Sequence, residues 1–286
     1  MKKIKMEIGP TKILLLALLT VIVIGALILS LPICNNEPIK MLDALFVSTS
    51  AVCVTGLTTI VPIEQFNIIG QAVLLVLIQV GGIGFMTMIS IVLILIGKKL
   101  NLSDKIIIRE SLNQDSFKGL VRLVKKIFIY TIIIEAIGAF ILSTKFIPDF
   151  GIKKGIWFSI FHSISAFCNA GFDLLGRNSI MPYASDRVVC LTLMLLIIIG
   201  GLGFTVWDDI IENIKNKRKF HNLSLHTKIV LIMTLVLLVS GTFFTFMLEH
   251  DNIHTMGQDL FRNQNVEISV SVNNIKNSRI FFNATK

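Results

Sequence analysis

Two short glycine-containing segments with nearly the same sequence are the residues of this chain best suited to chemistry. The first is Ser-Ala-Val-Cys-Val-Thr-Gly-Leu at 50–57, and the second is Ser-Ala-Phe-Cys-Asn-Ala-Gly-Phe at 165–172. Small side chains and a glycine let successive backbone carbonyls turn toward one point, where they can replace the water around a cation. An anion site would need amide hydrogens or basic side chains, and neither segment contains Lys or Arg. The two segments therefore predict a cation site made of backbone oxygens.

The residues around each motif predict how the motif is held. A short apolar run, 41–53 or 155–167, precedes each copy and is too short to cross about 30 Å of hydrocarbon as a helix. A longer run containing Gly-Gly-aliphatic-Gly-Phe, at 81–85 or 200–204, follows each copy. The predicted order is helix, half-helix, narrow loop and helix, with Asp43 as the N-cap or a first-turn acid of the first half-helix. Recurrence after about 115 residues disfavours the alternative of an ordinary helix end with a C-cap glycine.

Composition places these motifs in a membrane protein. The chain is 53% hydrophobic and only 16% charged, and its mean hydropathy is +0.78. Its apolar residues are gathered into runs of about twenty, the length of a helix that crosses a bilayer. The net charge of +9 could indicate nucleic-acid binding, but the basic residues lie at the ends of the apolar runs. Membrane topology explains these residues better, so we expect the lipid bilayer and no nucleic acid as a partner.

The predicted fold class is an all-α integral membrane protein with tandem repeats. Each repeat consists of a helix, a pore helix, a re-entrant filter loop and a second helix, and the chain holds two complete repeats plus one further span. The full spans are predicted at 13–31, 72–96, 125–142, 188–206 and 227–247; a signal peptide is the weaker alternative for the first. The predicted segments are a cytoplasmic N-terminus (1–12), repeat 1 (13–97), a cytoplasmic loop (98–124), repeat 2 (125–210), a second cytoplasmic loop (211–226), the first span of repeat 3 (227–248) and an irregular tail (249–286).

Charge asymmetry predicts the orientation. If each half-helix enters and leaves on one side, the side with the N-terminus carries seventeen Lys and Arg residues near the spans and the other side carries six. Cytoplasmic loops are enriched in Lys and Arg. We therefore expect a cytoplasmic N-terminus, both filter loops outside, and a multi-pass protein of the plasma membrane.

The motifs resemble those of the potassium-translocating subunit of the Ktr and Trk superfamily. Residues 50–57 look like the first filter of that family, and Cys-Asn-Ala-Gly-Phe at 168–172 looks like the second. The Gly-Gly-aliphatic-Gly-Phe segments match the spans that follow the filters. The chain opens directly on the first repeat, which is more similar to the Ktr branch, and the resemblance covers residues from about 10 to 260.

The resemblance implies a function and its site residues. Potassium, as the transported substrate, would be held by backbone carbonyls of Val54, Thr55, Gly56, Asn169, Ala170 and Gly171, with no other metal site and no cofactor. It also implies a homodimer, activation by sodium, and attachment to a cytoplasmic nucleotide-binding regulatory subunit that faces the basic loops. No acid pair, His-Cys cluster, phosphate loop or nucleophile elbow appears in the sequence, so we do not expect an enzyme.

The sequence departs from this family in its length, because four repeats are expected. Residues after about Leu260 are polar and rich in Asn. Codons compatible with Glu267 to Asn283, read one nucleotide later, can encode Arg-Thr-Ala-Gly-Phe, which resembles the family's third filter. We therefore hypothesise a frameshift near residue 260, which the coding DNA would test. The alternative function is a truncated, non-conducting fragment of such a transporter.

Other residues carry weaker hypotheses. Glu135 is an ionisable group inside a predicted span, and either an ion-path role or a helix-packing hydrogen bond would explain it. His162 in the second half-helix is more often a hydrogen-bonded structural residue than a ligand. Cys53 and Cys168 hold equivalent motif positions as small packing residues, and the spacing of Cys34 and Cys190 predicts neither a disulfide framework nor a metal site.

Overall fold

The described part of the chain consists mainly of helices. A computed structural model describes residues 10–84, 87, 120–216 and 223–249. Within these ranges the structure has no β-strand beyond a single bridge between Asn35 and Phe66. The predicted all-α fold class is therefore confirmed. Of the predicted segments, most of the 98–124 loop and all of the tail after Glu249 lie outside the described residues.

The first part of the chain contains the first motif. Its helices are α1 (Pro10–Leu29), α2 (Met41–Val52), α3 (Pro62–Gln65) and α4 (Ile68–Ile83). Asp43 lies in the first turn of α2, where its charge complements the helix dipole, while Lys40 holds the N-cap position without a side-chain bond. Asn67 caps α4, because its side-chain oxygen accepts hydrogen bonds from Ile69 N at 2.9 Å and Gly70 N at 3.1 Å.

The second part of the chain contains the second motif. Its helices are α5 (Leu120–Phe150), α6 (Ile152–Phe167), α7 (Arg187–Gly201), α8 (Phe204–Lys215) and α9 (Leu225–Glu249). Gly151, with φ +78°, is the only residue between α5 and α6. An L side chain rarely adopts this φ, so glycine allows the chain to reverse direction within one residue. The half-helix predicted at 155–167 thus begins at Ile152 and ends where expected.

Two described helices are long and apolar enough to cross a membrane by themselves. These are 124–150 in α5 and 225–248 in α9, and α7 with α8 counts as a third if the pair forms one broken span. The predicted spans at 13–31 and 72–96 correspond to shorter apolar helices, Leu15–Leu29 and Ile68–Ile83, within the described residues. Large apolar side chains are exposed along nearly the whole length of α9, as expected for a surface that faces lipid.

The chain divides into two compact units, of which the first carries both motifs. It comprises residues 1–177 and 191–204. In this unit α1 packs on α2, α2 on α4, α4 on α6, and α5 on α6. Its largest fully buried side chains include those of Phe66, Phe146 and Phe161.

The second unit comprises residues 178–190 and 205–286. Within it, Ser224 lies just before α9, and its hydroxyl accepts a hydrogen bond from Thr227 N at 3.2 Å. Ser224 N in turn donates to Asp209 Oδ2 of α8 at 2.9 Å. These bonds fix the start of α9 against α8.

An exposed ion pair joins the connections that follow the two motifs. Arg177 Nε donates to Glu64 Oε1 at 2.9 Å, and Arg177 Nη2 donates to Glu64 Oε2 at 3.0 Å. The hydrogen bond from Arg177, together with its charge, lowers the pKa of Glu64 below its ordinary value. The stabilising effect of the pair is therefore present above the ordinary glutamate pKa and is lost as the pH falls through the lowered folded-state pKa.

This pair gives a pH-dependent prediction. We expect the melting temperature of the wild-type chain to fall in that acidic window by slightly more than that of Arg177→Gln, because the variant has no ion pair to lose. The difference should be small, since both side chains are exposed to solvent. Melting curves in detergent between neutral and acidic pH would measure it, with Lys40→Gln as the control. Identical pH profiles for wild type and Arg177→Gln would contradict the prediction.

Candidate functional site

The loops after α2 and α6 begin with the same backbone hydrogen bonds. In each loop, the N–H of the second residue after the helix donates to the carbonyl three residues before it. The N–H of the third residue donates to the carbonyl five residues before it. The bonds are Val54 N to Ala51 O at 3.2 Å, Thr55 N to Ser50 O at 2.8 Å, Asn169 N to Ala166 O at 3.0 Å and Ala170 N to Ser165 O at 2.8 Å. This pairing is the Schellman motif of helix C-termini. The two sequence copies therefore form two copies of one local structure.

The backbone dihedrals also repeat. Val54 has φ +56° and Asn169 has φ +58°, while Gly56 has φ +78° and Gly171 has φ +71°. The glycines occupy this region without strain, and Asn tolerates it, but a β-branched residue there is a genuine outlier. The loop at Val54 is thus held in a conformation that its own side chain disfavours.

Exchange of these two residues should have opposite effects on stability. We expect Val54→Asn to raise the free energy of unfolding and Asn169→Val to lower it, each by about 1 kcal/mol, since the left-handed conformation costs an ordinary L-residue roughly 1–2 kcal/mol. Thermal unfolding of the two purified variants in detergent would measure this. Changes of the same sign in both variants would refute the explanation from backbone strain.

The two loops lie against each other through their backbones. A Cβ atom added to Gly56 would lie 2.6 Å from Ala170 O and 3.1 Å from Gly171 Cα. The structure therefore brings the predicted site residues at 54–56 and 169–171 together. Both loops also follow the C-terminal end of a helix, where the partial charge is negative and favours a cation.

Glycines of the following helices hold the motifs at close range. A Cβ atom added to Gly81 would overlap the carbonyl oxygen of Val52, the last residue of α2. One added to Gly200 would overlap the carbonyl oxygen of Phe167, the last residue of α6. The Gly-Gly-aliphatic-Gly-Phe motif therefore permits direct contact between the second helix and the end of the half-helix. Its third glycine, Gly84 or Gly203, has φ near +88° or +87°, and α4 and α7 end just before it. The sequence predicted these segments as uninterrupted spans and missed this feature.

A serine and a glycine anchor each half-helix to the helix before it. Ser48 Oγ donates to Ile22 O at 2.7 Å, and Ser163 Oγ donates to Glu135 O at 2.7 Å. Cβ atoms at Gly25 and Gly138 would lie 2.5 Å from these two hydroxyl oxygens. Sequence reasoning missed both contacts, although the glycines stand 113 residues apart, close to the period of the motifs.

Glu135 takes part in a buried polar chain beside the second loop. Gln79 Nε2 of α4 donates to Glu135 Oε1 of α5 at 2.9 Å, and Cys168 Sγ donates to Gln79 Oε1 at 3.7 Å. Glu135 is only 7% exposed. Of the two roles that the sequence suggests for Glu135, the hydrogen bond between packed helices is therefore present. A role in an ion path remains a prediction.

His162 connects α6 to the segment that follows the second motif. Its Nδ1 lies 2.7 Å from Phe158 O, and Leu174 N donates to its Nε2 at 3.4 Å. The rings of Phe146, Phe158 and Phe161 surround it. Both ring nitrogens thus have protein partners, as in a structural histidine.

In the part of the chain that the structure describes, no three His, Cys, Asp or Glu side chains are grouped so that they could hold a metal ion. The four cysteines are free thiols. Cys168 is buried and Cys53 is exposed, although the two occupy equivalent positions of the repeated motif.

The comparison with a family model and the comparison with individual proteins indicate the same family. The model of the TrkH family, described as "Cation transport protein", matches residues 10–285. Ktr system potassium uptake protein B of Bacillus subtilis is 42% identical over 248 residues, which cover 87% of this chain and 55% of that protein. Potassium/sodium uptake protein NtpJ of Enterococcus hirae is 39% identical over 262 residues, 91% of this chain and 57% of that protein.

Ktr system potassium uptake protein B of Vibrio alginolyticus is 41% identical over 256 residues, which cover 90% of this chain and 56% of that protein. The chain therefore spans little more than half the length of these curated relatives. The family is one of transporters, not of enzymes. Because the family model matches nearly the whole chain, the chain belongs to the TrkH family of cation transport proteins and is of the Ktr membrane-subunit type.

Proposed function

We propose that this chain takes part in potassium uptake across the cell membrane as the pore-forming subunit of a Ktr-like system. The observation that carries the proposal is the contact between the two equivalent loops that follow α2 and α6, with Gly56 against Ala170 and Gly171. The names of the relatives, two of which are potassium uptake proteins and one a potassium/sodium uptake protein, agree with it.

In this proposal the ion is held by carbonyl oxygens of 54–56 in the first loop and 169–171 in the second. Carbonyls can replace the hydration shell of potassium, and the helix ends beneath them add a favourable potential. Small side chains at these positions leave the backbone accessible to the ion. Sodium acts as an activator rather than as a cofactor bound by side chains.

The proposed topology follows from the charge bias. The N-terminus and the basic loops at 98–124 and 211–226 face the cytoplasm, and both filter loops open to the outside. The basic loops contact a cytoplasmic nucleotide-binding regulatory subunit, and the complete transporter is a homodimer. Repeat 1 corresponds to 13–97, repeat 2 to 125–210, and 227–248 begins a third.

Complementation tests this function. The chain is expressed in a bacterium that lacks its own potassium uptake systems, and growth is followed at low external potassium. We expect growth, together with uptake of rubidium as a tracer for potassium, above the empty-vector control. A tagged chain that is found in the membrane fraction but supports neither growth nor uptake would contradict the proposal.

A second candidate is a fragment that does not conduct ions by itself. It is favoured by the share of the relatives that this chain matches, about 55–57% of their length. Under this candidate the chain inserts into the membrane and leaves potassium uptake unchanged. The same complementation experiment separates the two, because membrane insertion and uptake are measured in the same cells.

A further inference from the structure

The last turn of α4 lies against the start of both loops. A Cβ atom added to Gly81 would overlap Val52 O and lie 3.1 Å from Val54 Cγ2, where the first loop begins. A Cβ atom added to the adjacent Gly82 would lie 2.5 Å from Cys168 Cβ and 3.1 Å from Cys168 Cα, where the second loop begins. Closely packed interiors transmit small displacements. A side chain that fixes this turn of α4 therefore acts on both loops.

Two polar side chains meet beside this turn, and both differ from their counterparts in the other repeat. The backbone carbonyls of Ile22 and Glu135 accept the equivalent serine hydrogen bonds, so these two residues correspond to each other. Gln79 and Ile198 each stand two residues before a Gly-Gly pair. The repeated fold is thus built with isoleucine at either position. The hydrogen bond of Gln79 with Glu135 is therefore not required by the repeat itself.

Hydrogen-bond chemistry fixes the orientation of the Gln79 amide. A carboxylate only accepts hydrogen bonds, whereas an amide has a donating and an accepting end. Since Gln79 Nε2 donates to Glu135 Oε1 at 2.9 Å, the amide oxygen is left for the thiol of Cys168, which donates to it at 3.7 Å. The opposite orientation would place two acceptors against each other. Glu135 therefore determines which end of the Gln79 amide faces the second loop.

The three side chains are shielded from water. Glu135 and Cys168 are each 7% exposed, and Gln79 is half-buried. Loss of one partner in such a chain leaves a buried polar group unsatisfied, and this costs more than the net contribution of an ordinary hydrogen bond. The position of Cys168 should therefore respond strongly to changes at residues 79 and 135.

We infer that Gln79 and Glu135 are positioning residues of the second loop. Glu135 orients the amide of Gln79, and Gln79 together with Gly82 holds Cys168 in place. The carbonyls of 169–171 follow directly, so the same contacts set their distance from the carbonyls of 54–56. The number and placement of carbonyl oxygens decide which cation a site prefers. The pair thus affects the choice of cation, and this last step rests on the proposed function.

Exchange of the two side chains tests the pair. Gln79→Glu places two carboxylates at hydrogen-bond distance and leaves no donor between them. Adding Glu135→Gln restores one donor and one acceptor, because the amide at 135 can donate to the carboxylate at 79. The second oxygen of that carboxylate can still accept from Cys168. The single variant should therefore loosen the second loop, and the double variant should restore it.

Gln71→Glu is the matched control. It is the same substitution two turns earlier in α4, at a side chain that is also buried. Gln71 Nε2 donates to Phe66 O at 2.8 Å, and Gln71 Oε1 accepts from Trp157 Nε1 at 2.7 Å. Neither partner belongs to the second loop. This variant therefore measures the general effect of a buried acid on α4.

The rate at which N-ethylmaleimide alkylates Cys168 in membranes reports the position of the loop. Peptide mass spectrometry identifies the modified cysteine, and the same inserted chain after denaturation gives the value for complete labelling. We expect Gln79→Glu to raise the rate at least about tenfold, since a hydrogen bond to a charged group is replaced by repulsion. Labelling of the double variant and of Gln71→Glu should stay near that of the wild type.

Three results would overturn the inference. One is an unchanged rate in Gln79→Glu, and another is a double variant that labels as fast as the single one. The third is equally fast labelling of Gln71→Glu, which would indicate a general loosening of α4. Labelling does not depend on transport, so a wild-type chain without potassium uptake would refute the proposed function and leave the positioning role intact.

The choice of cation is tested by tracer uptake of rubidium and of sodium. We expect Gln79→Glu to lower the ratio of rubidium to sodium uptake at least about twofold, the lower end of coupling within one hydrogen-bond network. The double variant should recover the wild-type ratio. A looser loop with an unchanged ratio would overturn the step from position to cation preference.

Discussion

Alanine at Gly56 is expected to lower the proposed potassium uptake of this chain by roughly a hundredfold. Gly56 has φ +78°, a conformation that costs an L-residue about 1–2 kcal/mol. The added methyl group would also lie 2.6 Å from Ala170 O, and such overpacking costs a further 1–3 kcal/mol or so. Both effects would displace the carbonyls of both loops, and a change of that size corresponds to a loss of uptake of roughly a hundredfold.

Gly171→Ala should have the same kind of effect but a smaller one. Its φ is +71°, yet the nearest atom to an added Cβ is Gly56 Cα at 3.5 Å, which is an ordinary contact. Tracer uptake in the complemented strain measures both variants, and immunoblots of the membrane fraction show whether each chain is present. Gly241→Ala serves as the control. Normal uptake by Gly56→Ala would exclude these loops as the ion site.

Alanine at Gly200 is expected to destabilise the chain, whereas alanine at the adjacent Gly201 should not. A methyl group at Gly200 would collide with the carbonyl oxygen of Phe167, and the nearest atom to one at Gly201 is 3.8 Å away. We expect Gly200→Ala to lower the free energy of unfolding by about 1–3 kcal/mol. Gly201→Ala should change it little or raise it by up to about 1 kcal/mol, since alanine favours the helix.

Thermal unfolding of the two purified variants in detergent would show this difference. The pair is closely matched, because the two glycines are neighbours in one helix and receive the same methyl group. If both variants melt at the same temperature, the contact between α7 and the end of α6 is not as close as the structure indicates. The equivalent contact of Gly81 with Val52 O predicts the same loss for Gly81→Ala.

The local features of the motifs could be read from the sequence. The half-helix predicted at 41–53 is α2, Met41–Val52, and the one predicted at 155–167 lies within α6. These bounds could be predicted because each half-helix is a short apolar run that ends in a glycine-containing loop. The length and hydrophobicity of such a run are visible in the sequence. The recurrence also predicted that two loops of the same kind would be present.

Contacts between distant residues could not be predicted in this way. Glu64 and Arg177 are 113 residues apart, and Gln79 and Glu135 are 56 apart, so no local pattern indicates either pair. Phe46 is 41% exposed whereas its counterpart Phe161 is fully buried, and the sequence does not predict this difference, since it depends on which helix lies beside each side chain. The positive φ of Val54 also could not be predicted, because valine rarely adopts that conformation.

The hydrogen bond between Gln79 and Glu135 bears on how the chain enters the membrane. An acidic side chain at the centre of a bilayer costs about 2.5–3.5 kcal/mol during insertion. Synthesis proceeds from the N-terminus, so α4, which carries Gln79, leaves the ribosome before α5 does. Its amide is then already available as a donor when the carboxylate arrives. We therefore predict that α4 assists the insertion of α5, so that Gln79→Leu should lower the inserted fraction of α5.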